Sequence, residues 1–289
     1  MEQVMKVVAV IHARMTSSRL PGKVLMNLGG RSVFYHHYER LSQCAKIDKI
    51  YLATSKSETN DPLREEARRY GVPCYSGAEE DLLERYTTIA RKEKPDAVVR
   101  CGCDKPLFSY EIVDHLLDAY DGEDLLYVTT PLGKGIGSEV LSPAALERIH
   151  EHYRGPAIAK YVFEYPHLFN TRGVEVDDEF SRPEFRLTLD TVEDYELLKT
   201  IYDRFYEDGV PVDIREVFKY LDDNPDISNI NRFTEDKYVN TYLKELQERA
   251  VFSVYQARSG RCIVRNRMGE VISPGEFLEA VGKLDWEEG

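Results

Sequence analysis

The sequence predicts an α/β protein in which a mostly parallel β-sheet is covered by helices on both faces. Short apolar runs, typical of buried strands, alternate with segments whose apolar side chains recur at helical spacing. Strands that alternate with helices in this way favour parallel pairing. The first apolar run also stops abruptly at a small, basic, hydroxyl-rich segment. Because open sheets of this class bind ligands at the carboxyl ends of their strands, that junction is the first place to look for a site.

Capping and breaking residues indicate the helix boundaries in the first half of the chain. Ser32 is placed to cap a helix whose apolar residues follow helical spacing. Asp61 and Pro62 form an N-cap and first-turn pair, and Gly71 stands where that helix stops. The predicted strands are residues 7–11, 50–53, 73–75, 97–101 and 125–129, and the predicted helices are residues 33–41, 61–70, 79–92 and 110–120.

The second half of the chain predicts further helices and then changes character. Helical patterns occupy residues 143–152, 156–164, 192–206, 214–221 and 235–248, and strand-like pieces occupy 169–176 and 186–189. We expect residues 1–250 to form the main domain. Residues 251–289 form a C-terminal appendage, with a hairpin of strands 251–257 and 262–266 and a short helix at 274–281. It is too short to bury a core alone, so we expect it to dock on the main domain or on another subunit.

Composition and charge narrow the classes of function. The formal charge of −13 at pH 7 argues against nonspecific nucleic-acid binding, which depends on a basic face. No apolar run approaches the roughly 18 residues of a membrane span, and the N-terminus shows no signal-peptide pattern. We therefore expect a cytoplasmic protein with no nucleic-acid or membrane partner. Cys101 and Cys103 are better explained as buried thiols than as half of a metal site, because no second Cys or His pair follows at finger-like spacing.

The junction after the first strand has the chemistry of an anion site. Residues 8–25 read VAVIHARMTSSRLPGKVL, so the loop carries Arg14, Arg19 and Lys23 among three hydroxyl side chains. Arginine offers a planar fork of donors to phosphate oxygens, lysine offers a compact charge, and loop N–H groups add further donors. Residue chemistry alone leaves a second interpretation open, in which this is a solvated basic loop.

A family resemblance favours the phosphate site. Residues 12–25 resemble the N-terminal signature of the cytidylyltransferases that activate acidic sugars, the CMP-Kdo synthetases and their relatives. They are most similar to the spore coat polysaccharide biosynthesis branch, where Gln usually stands at the position of His12. The resemblance implies a Rossmann-like, glycosyltransferase-A-type fold whose loop wraps the triphosphate of CTP. By this resemblance the nucleotide-binding residues of the loop are Ala13, Arg14, Met15, Arg19 and Lys23, with Arg14 and Lys23 as the phosphate-binding pair.

Two aspartates match the metal-binding segments of the same family. Asp104, in RCGCDKPLF, resembles the Asp of Gly-Asp-x-Pro-Leu, with Cys103 in place of Gly. Asp190, in RLTLDTVEDYELL, resembles the first Asp of Asp-Thr-x-x-Asp-Leu, with Tyr195 at the aliphatic position. The resemblance implies that both bind Mg²⁺, an ion that takes only one or two protein carboxylates beside substrate phosphates. We expect both side chains at the mouth of the sheet rather than in the core. Without the resemblance, an Asp at a strand end is more often a helix cap.

Further segments resemble the base-reading and acceptor-binding parts of the family. Residues 52–55 follow the second strand, and residues 76–86 read SGAEEDLLERY, which is close to the family's Gly-Ser-Glu-x-Asp-Val-Leu-x-Arg-Tyr. The glycine-rich residues 131–138 match neither the dinucleotide fingerprint nor the P-loop and are expected to border the acceptor site. The remaining nucleotide- or substrate-binding candidates are Ala53, Thr54, Ser55, Gly77, Asp81, Arg85, Arg100 and Glu139.

The expected reaction is CTP + acceptor → CMP-acceptor + pyrophosphate, with Arg14, Lys23, Asp104 and Asp190 as catalytic residues. We expect a homodimer and a small anionic acceptor, which is an acidic sugar, a sugar phosphate, a phosphonate or another phosphorylated molecule. One alternative is a glycosyltransferase on the same fold, which commonly shows an Asp-x-Asp motif that this chain lacks. A second alternative is a catalytically silent nucleotide-binding subunit, against which the presence of both aspartates argues.

Overall fold

The computed structural model describes residues 5–155 and 157–232 and, beyond them, the backbone of three short strands between residues 252 and 272. The chain divides into two compact units, residues 1–234 and 235–289. The predicted domain boundary after residue 250 lies outside the described residues, as do the predicted helices at 235–248 and 274–281.

Strands and helices of the first unit alternate in the predicted order. The strands are β1 (Val7–His12), β2 (Asn27–Leu28), β3 (Arg31–Ser32), β4 (Lys49–Ser55), β5 (Cys74–Gly77), β6 (Ala97–Gly102), β7 (Leu125–Val128), β8 (Glu139–Leu141) and β9 (Thr171–Val174). The helices are α1 (Val33–Leu41), α2 (Asp61–Arg69), α3 (Leu82–Glu93), α4 (Tyr110–Ala119), α5 (Pro143–His152), α6 (Ile158–Glu164), α7 (Val192–Phe205), α8 (Ile214–Asp223) and α9 (Pro225–Ser228).

A seven-stranded sheet with the order β5-β4-β1-β6-β8-β7-β9 forms the centre of this unit. Strand β1 pairs in parallel with β4 on one side and with β6 on the other, and only β8 runs against its neighbours in this sheet. The chain moves outward from β1 to β4 and β5 and then returns to β6, so the strand order reverses between β1 and β6. In open α/β sheets such a reversal opens a crevice at the carboxyl ends of the two strands.

Helices cover both faces of the sheet, which confirms the predicted fold class. Strand β1 is fully buried from Val7 to Ile11, and its side chains alternate between two hydrophobic clusters. One cluster packs Val7, Ala9 and Ile11 against α1, α2, α4, α7 and α8. The other packs Val8 and Val10 against α3, α5 and α6. A strand that is apolar on both faces is typical of a central parallel strand, which explains the continuous apolar run in the sequence.

Several predicted boundaries shift for local reasons. Helix α2 begins at Asp61 after Asn60, so Asp61 is not the N-cap, and the Asn60 side chain binds elsewhere. Helix α3 begins at Leu82 rather than at residue 79, because the Asp81 side chain caps it. The predicted strand at residues 186–189 is wrong, since only one isolated bridge, between Lys134 and Arg186, forms there.

Strands β2, β3 and β8 of the first unit were not predicted from the sequence. The hairpin of β2 and β3 turns at Gly29 and Gly30, both of which have positive φ. A Gly-Gly pair is a known signal for a tight hairpin, so this one was detectable. Strand β8 is only three residues long and follows the glycine-rich loop, and its pairing with β6 and β7 comes from distant parts of the chain.

In the second unit, β10 (Phe252–Gln256) pairs antiparallel with β11 (Cys262–Asn266), which in turn pairs with β12 (Val271–Ile272). The predicted hairpin is confirmed at the level of the backbone. In the described part of the chain, no helix is long and apolar enough to cross a membrane.

We predict that Gly135→Ala destabilises the first unit by about 2–3 kcal/mol, measured by urea unfolding. Gly135 has a φ of 104°, and an added Cβ would lie 2.6 Å from the carbonyl oxygen of Leu187. Gly30→Ala is the matched control, because Gly30 also has positive φ (91°) but open space around it. The control substitution is expected to cost about 1 kcal/mol. Equal losses in the two variants would show that loop 131–138 does not depend on its close approach to residue 187.

Candidate functional site

The predicted site residues converge on the crevice between β1 and β6. Ala13 N donates to the carbonyl oxygen of Ala53 at 3.1 Å, which ties the end of β1 to the end of β4. Cys103 N donates to the carbonyl oxygen of His12 at 3.1 Å, which ties the same end to the segment after β6. The chain therefore brings the basic loop, residues 53–55 and Asp104 to one edge of the sheet, as expected from the strand order.

Backbone and amide hydrogen bonds shape the basic loop. Gly22 N donates to the carbonyl oxygen of Met15 at 2.9 Å and closes the loop. Met15 N donates to Asn60 Oδ1 at 2.8 Å, and Asn60 Nδ2 donates to Ser55 Oγ at 2.6 Å. The loop is thus held against the end of β4 by one buried amide. Arg14 is exposed, and it forms no ion pair or hydrogen bond with the described residues.

The other two cations of the loop lie on Asp190. Lys23 Nζ is 2.8 Å from Asp190 Oδ1 and 2.6 Å from the carbonyl oxygen of Leu189. The Arg19 guanidinium is also 2.8 Å from Asp190 Oδ1. Asp190 is only 4% exposed, so the expectation that it lies at the open mouth of the sheet is wrong. Burial is tolerated there because several cations surround the carboxylate.

Asp194 fixes the segment that carries Asp190. It is fully buried, and Arg186 donates to its two carboxylate oxygens at 2.7 and 2.9 Å. The backbone N–H of Asp190 donates to Asp194 Oδ2 at 2.9 Å, and Asn231 Nδ2 donates to Oδ1 at 2.9 Å. Together with Thr191, Asp194 also forms the capping box that starts α7. The support that Asp194 gives to Asp190 was not predicted from the sequence.

Asp104 provides an ionised carboxylate next to this segment. Its carbonyl oxygen accepts hydrogen bonds from Leu189 N at 2.7 Å and from Thr188 Oγ1 at 3.0 Å, which brings the two predicted metal segments together. Its carboxylate has no partner among the described residues and is half-buried. Burial raises the pKa of Asp104. The charges of Lys23, Lys105 and Arg100 together outweigh this effect, so the pKa lies below its usual value.

These two carboxylates fit a magnesium ion better than an all-protein metal cage. No group of three or more His, Cys, Asp or Glu side chains able to hold a metal occurs in the described residues. An ion at this place would therefore take Asp104 and Asp190 and complete its shell with water and phosphate oxygens, which is how Mg²⁺ is commonly held. The unpaired, ionised carboxylate of Asp104 is the observation that supports this fit.

A neutral histidine holds the loop that carries Asp104. His37 Nδ1 lies 3.0 Å from the carbonyl oxygen of Val33, and Lys105 N donates to His37 Nε2 at 3.3 Å. Both contacts suit the tautomer with the proton on Nδ1. Burial lowers the pKa of His37 to about 4, against smaller opposing effects that include the charge of Asp104. The predicted thiols Cys101 and Cys103 are buried beside this loop.

On the β5 side, Gly77 and Arg85 lie together at the start of α3. An added Cβ at Gly77 would meet Glu84 Oε2 at 2.1 Å and Arg85 Cγ at 2.6 Å, so the close packing requires glycine. Arg85 is buried, and among the described residues its guanidinium donates to the carbonyl oxygens of Asp81 and Glu79, each at 3.4 Å. Burial lowers the pKa of Arg85, and nearby Arg14 also lowers it. Arg85 is thus a second cation without a carboxylate partner in the described part.

Asp81 and Thr54 occupy less direct positions. Asp81 Oδ1 caps α3 through Glu84 N at 2.8 Å, and Asp81 Oδ2 lies 3.0 Å from His150 Nε2 and 3.2 Å from Arg154 Nε. Both carboxylate oxygens are already engaged. Thr54 is fully buried, and its hydroxyl has no hydrogen-bond partner in the described residues.

The antiparallel strand β8 completes the other side of the crevice. Glu139 lies opposite Arg100 in the sheet, and their side chains form an ion pair of 3.0 Å. Lys105 Nζ donates to the carbonyl oxygen of Gly137 in the glycine-rich loop at 3.2 Å. In the same loop, burial and the charge of Arg186 lower the pKa of Lys134 to about 8. This side is rich in cationic side chains and suits an anionic molecule.

His12 is a site residue whose side chain the sequence analysis did not use. It ends β1, and its Nδ1 lies 2.8 Å from the hydroxyl of buried Tyr86. Burial lowers the pKa of His12 well below its usual value, and the charges of Arg100 and Arg85 add to the effect. The signal available in the sequence was the His at position 12, where the family signature usually has Gln.

Comparisons with known proteins find similarity to cytidylyltransferases. A family model described as cytidylyltransferase matches residues 8–208. An uncharacterized protein of Methanocaldococcus jannaschii is 34% identical over 81% of this chain and 97% of its own length. The spore coat polysaccharide biosynthesis protein SpsF of Bacillus subtilis is 32% identical over 75% of this chain and 94% of its own length. A solved cytidylyltransferase structure from Leptospira borgpetersenii has a TM-score of 0.71 and 29% identity, and the match covers 78% of this chain and 97% of that one.

We predict that His37→Gln reduces the loss of stability on acidification. The pKa of His37 is about 4 in the folded protein, below the usual 6.5 of an unfolded chain. Between these pH values the unfolded chain binds a proton that the folded protein does not, so the free energy of unfolding falls as the pH falls. This group accounts for roughly 3 kcal/mol at most.

The measurement is urea unfolding at steps of pH from about 7 to 4 for the parent and variant proteins. His152→Gln, which replaces an exposed histidine, controls for the chemical change. The same pH dependence in the His37 variant and the parent would contradict the assignment.

Proposed function

This chain belongs to the cytidylyltransferase family, and on that premise we propose that it transfers CMP from CTP to a small anionic acceptor with release of pyrophosphate. An acceptor oxygen attacks the α-phosphorus, a new P–O bond forms, and the bond to the pyrophosphate oxygen breaks. The observation that carries the proposal is Asp104, an ionised carboxylate without a partner in the described residues, held at the sheet crevice beside a loop of cations.

The unpaired cations are proposed to hold the phosphates. Arg14 is exposed at the rim of the crevice, and Arg85 is buried behind it without a carboxylate partner in the described region. A guanidinium that is not paired with a carboxylate is ready to donate to phosphate oxygens, and little must be rearranged when the charge of the leaving group develops. Lys23 and Arg19 are already held on Asp190, so they are placed to contact phosphate oxygens bound next to that carboxylate.

Mg²⁺, bound by Asp104 and Asp190, would supply neutralisation of the phosphate charge and orientation of the leaving pyrophosphate. The protein contributes the fixed positions. Asp194 holds the backbone of Asp190, and Leu189 and Thr188 hold the backbone of Asp104, so the two segments that carry the carboxylates are in place before substrate binds. Catalysis then rests on positioning and on charge stabilisation rather than on a nucleophilic side chain.

The acceptor is proposed to bind on the β6–β8 side. The Arg100–Glu139 pair, Lys105 and the glycine-rich loop border this side, and its charge suits an acid or a phosphate. The name of the related Bacillus subtilis protein refers to polysaccharide biosynthesis, which favours an acidic sugar or a sugar phosphate. The homodimer expected from the sequence stays a prediction.

We predict that pyrophosphate release is faster with CTP than with UTP, ATP or GTP, because residues 53–55 and 76–86 resemble the cytosine-reading segments of the family. The measurement is a coupled pyrophosphate assay of each nucleotide against a panel of acidic sugars, sugar phosphates and phosphonates. Equal rates with CTP and UTP would contradict the cytosine pocket. Release from none of the nucleotides with any acceptor would favour the silent-subunit alternative.

We predict that Asp104→Asn lowers turnover by about 10²–10³-fold, because one preorganised charge contact is lost from the transition state. Since the Asp104 carboxylate has no described partner, the free energy of unfolding should change by less than about 1 kcal/mol. Asp208→Asn is the matched control, because its carboxylate is 64% exposed and its partners in the described residues, Arg31 and Tyr206, are not among the predicted site residues.

Asp190→Asn is a less clean test, since it also removes the carboxylate partner of the half-buried Lys23. Initial rates across a magnesium titration distinguish the variants. Near-normal turnover of Asp104→Asn would place the metal elsewhere.

A further inference from the structure

His12 lies at the centre of the crevice, between its two sides. In the sheet, His12 is the register partner of Ala53 on β4 and of Gly102 on β6. The β4 side carries the segments proposed to read the base, and the β6 side carries Asp104, proposed to hold the phosphate-bound metal. A group bound over His12 is therefore the part of the nucleotide that joins base and phosphate.

Hydrogen bonding determines the tautomer of His12. The hydroxyl of Tyr86 has a single proton, and it donates to the carbonyl oxygen of Val10 at 3.2 Å. The same hydroxyl lies 2.8 Å from His12 Nδ1, and both contacts are hydrogen bonds only in the tautomer whose Nδ1 carries the proton and donates to the hydroxyl. In a neutral imidazole the other nitrogen, Nε2, then has a free lone pair and acts only as an acceptor.

The lone pair of Nε2 is available to a ligand. His12 is half-buried, and within the described residues Nε2 has no hydrogen-bond partner. Gly102 leaves the space next to it open, since an added Cβ there would lie 3.4 Å from Nε2 and 2.6 Å from Asp104 Oδ1. The ring nitrogen and the carboxylate of Asp104 therefore border the same small space.

The chemistry of CTP limits which of its groups can meet this acceptor. The phosphate oxygens and the O2 and N3 atoms of cytosine are acceptors and would be repelled by the lone pair of Nε2. The donors of CTP are the 4-amino group, at the far edge of the base, and the two ribose hydroxyls. Only the ribose lies between base and α-phosphate, which is the position that the register of His12 defines.

We propose that His12 Nε2 accepts a hydrogen bond from a ribose hydroxyl of CTP, so that His12 positions the nucleotide and selects a ribonucleotide over a deoxynucleotide. The inference rests on the proposed function, because it takes CTP as the substrate. Tyr86 acts through His12 by holding the proton on Nδ1.

The test compares the binding of CTP, 2′-deoxy-CTP and 3′-deoxy-CTP by calorimetry in the presence of Mg²⁺. The parent protein should bind CTP roughly 3- to 10-fold more tightly than the analogue that lacks the contacted hydroxyl, which is the range expected for one neutral hydrogen bond. The analogue that binds more weakly than CTP identifies the ribose hydroxyl that His12 contacts.

Three variants separate this role from a structural one. His12→Asn keeps an amide N–H near the position of Nδ1 for the contact with Tyr86 but has no atom at Nε2, so the preference for CTP over the analogue should disappear. His12→Gln places an amide oxygen near Nε2 and should keep a preference. Tyr86→Phe removes the partner that fixes the tautomer of His12, so this variant should show a weaker preference for CTP over the analogue. Because the measured quantity is a ratio between two ligands, a general loss of affinity or stability does not mimic the result.

Binding of CTP with the same preference in His12→Asn as in the parent would overturn this inference and leave the proposed function standing. Equal binding of all three nucleotides by the parent would do the same. No binding of CTP by the parent would overturn the proposed function, and this inference with it.

Discussion

The buried ion pair between Arg186 and Asp194 is the interaction on which the site depends. Asp194 is fully buried at the start of α7, and it accepts hydrogen bonds from residues that precede it and from a residue that follows it in the chain. One of these comes from the backbone of Asp190, and another comes from Asn231 beyond α9. A buried pair adds little net stability because both charges lose water, whereas loss of one partner costs about 3–5 kcal/mol. Its contribution here is a single position for the Asp190 carboxylate.

Cationic side chains are concentrated at the site although the protein as a whole is acidic. The chain has a formal charge of −13, yet Lys23, Lys105 and Arg100 act together on the Asp104 carboxylate, which has no partner in the described residues. Two histidines in the same region, His12 and His37, stay neutral because burial lowers their pKa values. Part of the charge at the crevice, on Asp190, Lys23 and Arg85, is therefore held by burial and by internal contacts, which is what electrostatic preorganisation requires.

Features that were predicted correctly from the sequence are local patterns, whereas the features that were missed depend on distant parts of the chain. The apolar run of β1, the loop with Lys23 and the strand end before Asp104 are local patterns, and the structure brings these predicted segments together. The pairing of β8 depends on β6 and β7, which lie far from it along the chain. Arg186 was assigned to a strand, because its apolar neighbours alternate, but it lies in an irregular segment that forms the buried pair.

The sequence by itself determined the α/β class and the position of the site at the carboxyl ends of β1 and β6, because hydrophobic period and motif spacing are local properties of the chain. Tertiary structure alone decided that Asp190 is buried among cations, that the Asp104 carboxylate has no partner in the described part of the chain, and that His12 contacts the hydroxyl of Tyr86 at the crevice. Burial, charge balance and tautomer depend on which distant groups meet in space, and a linear pattern does not contain that information.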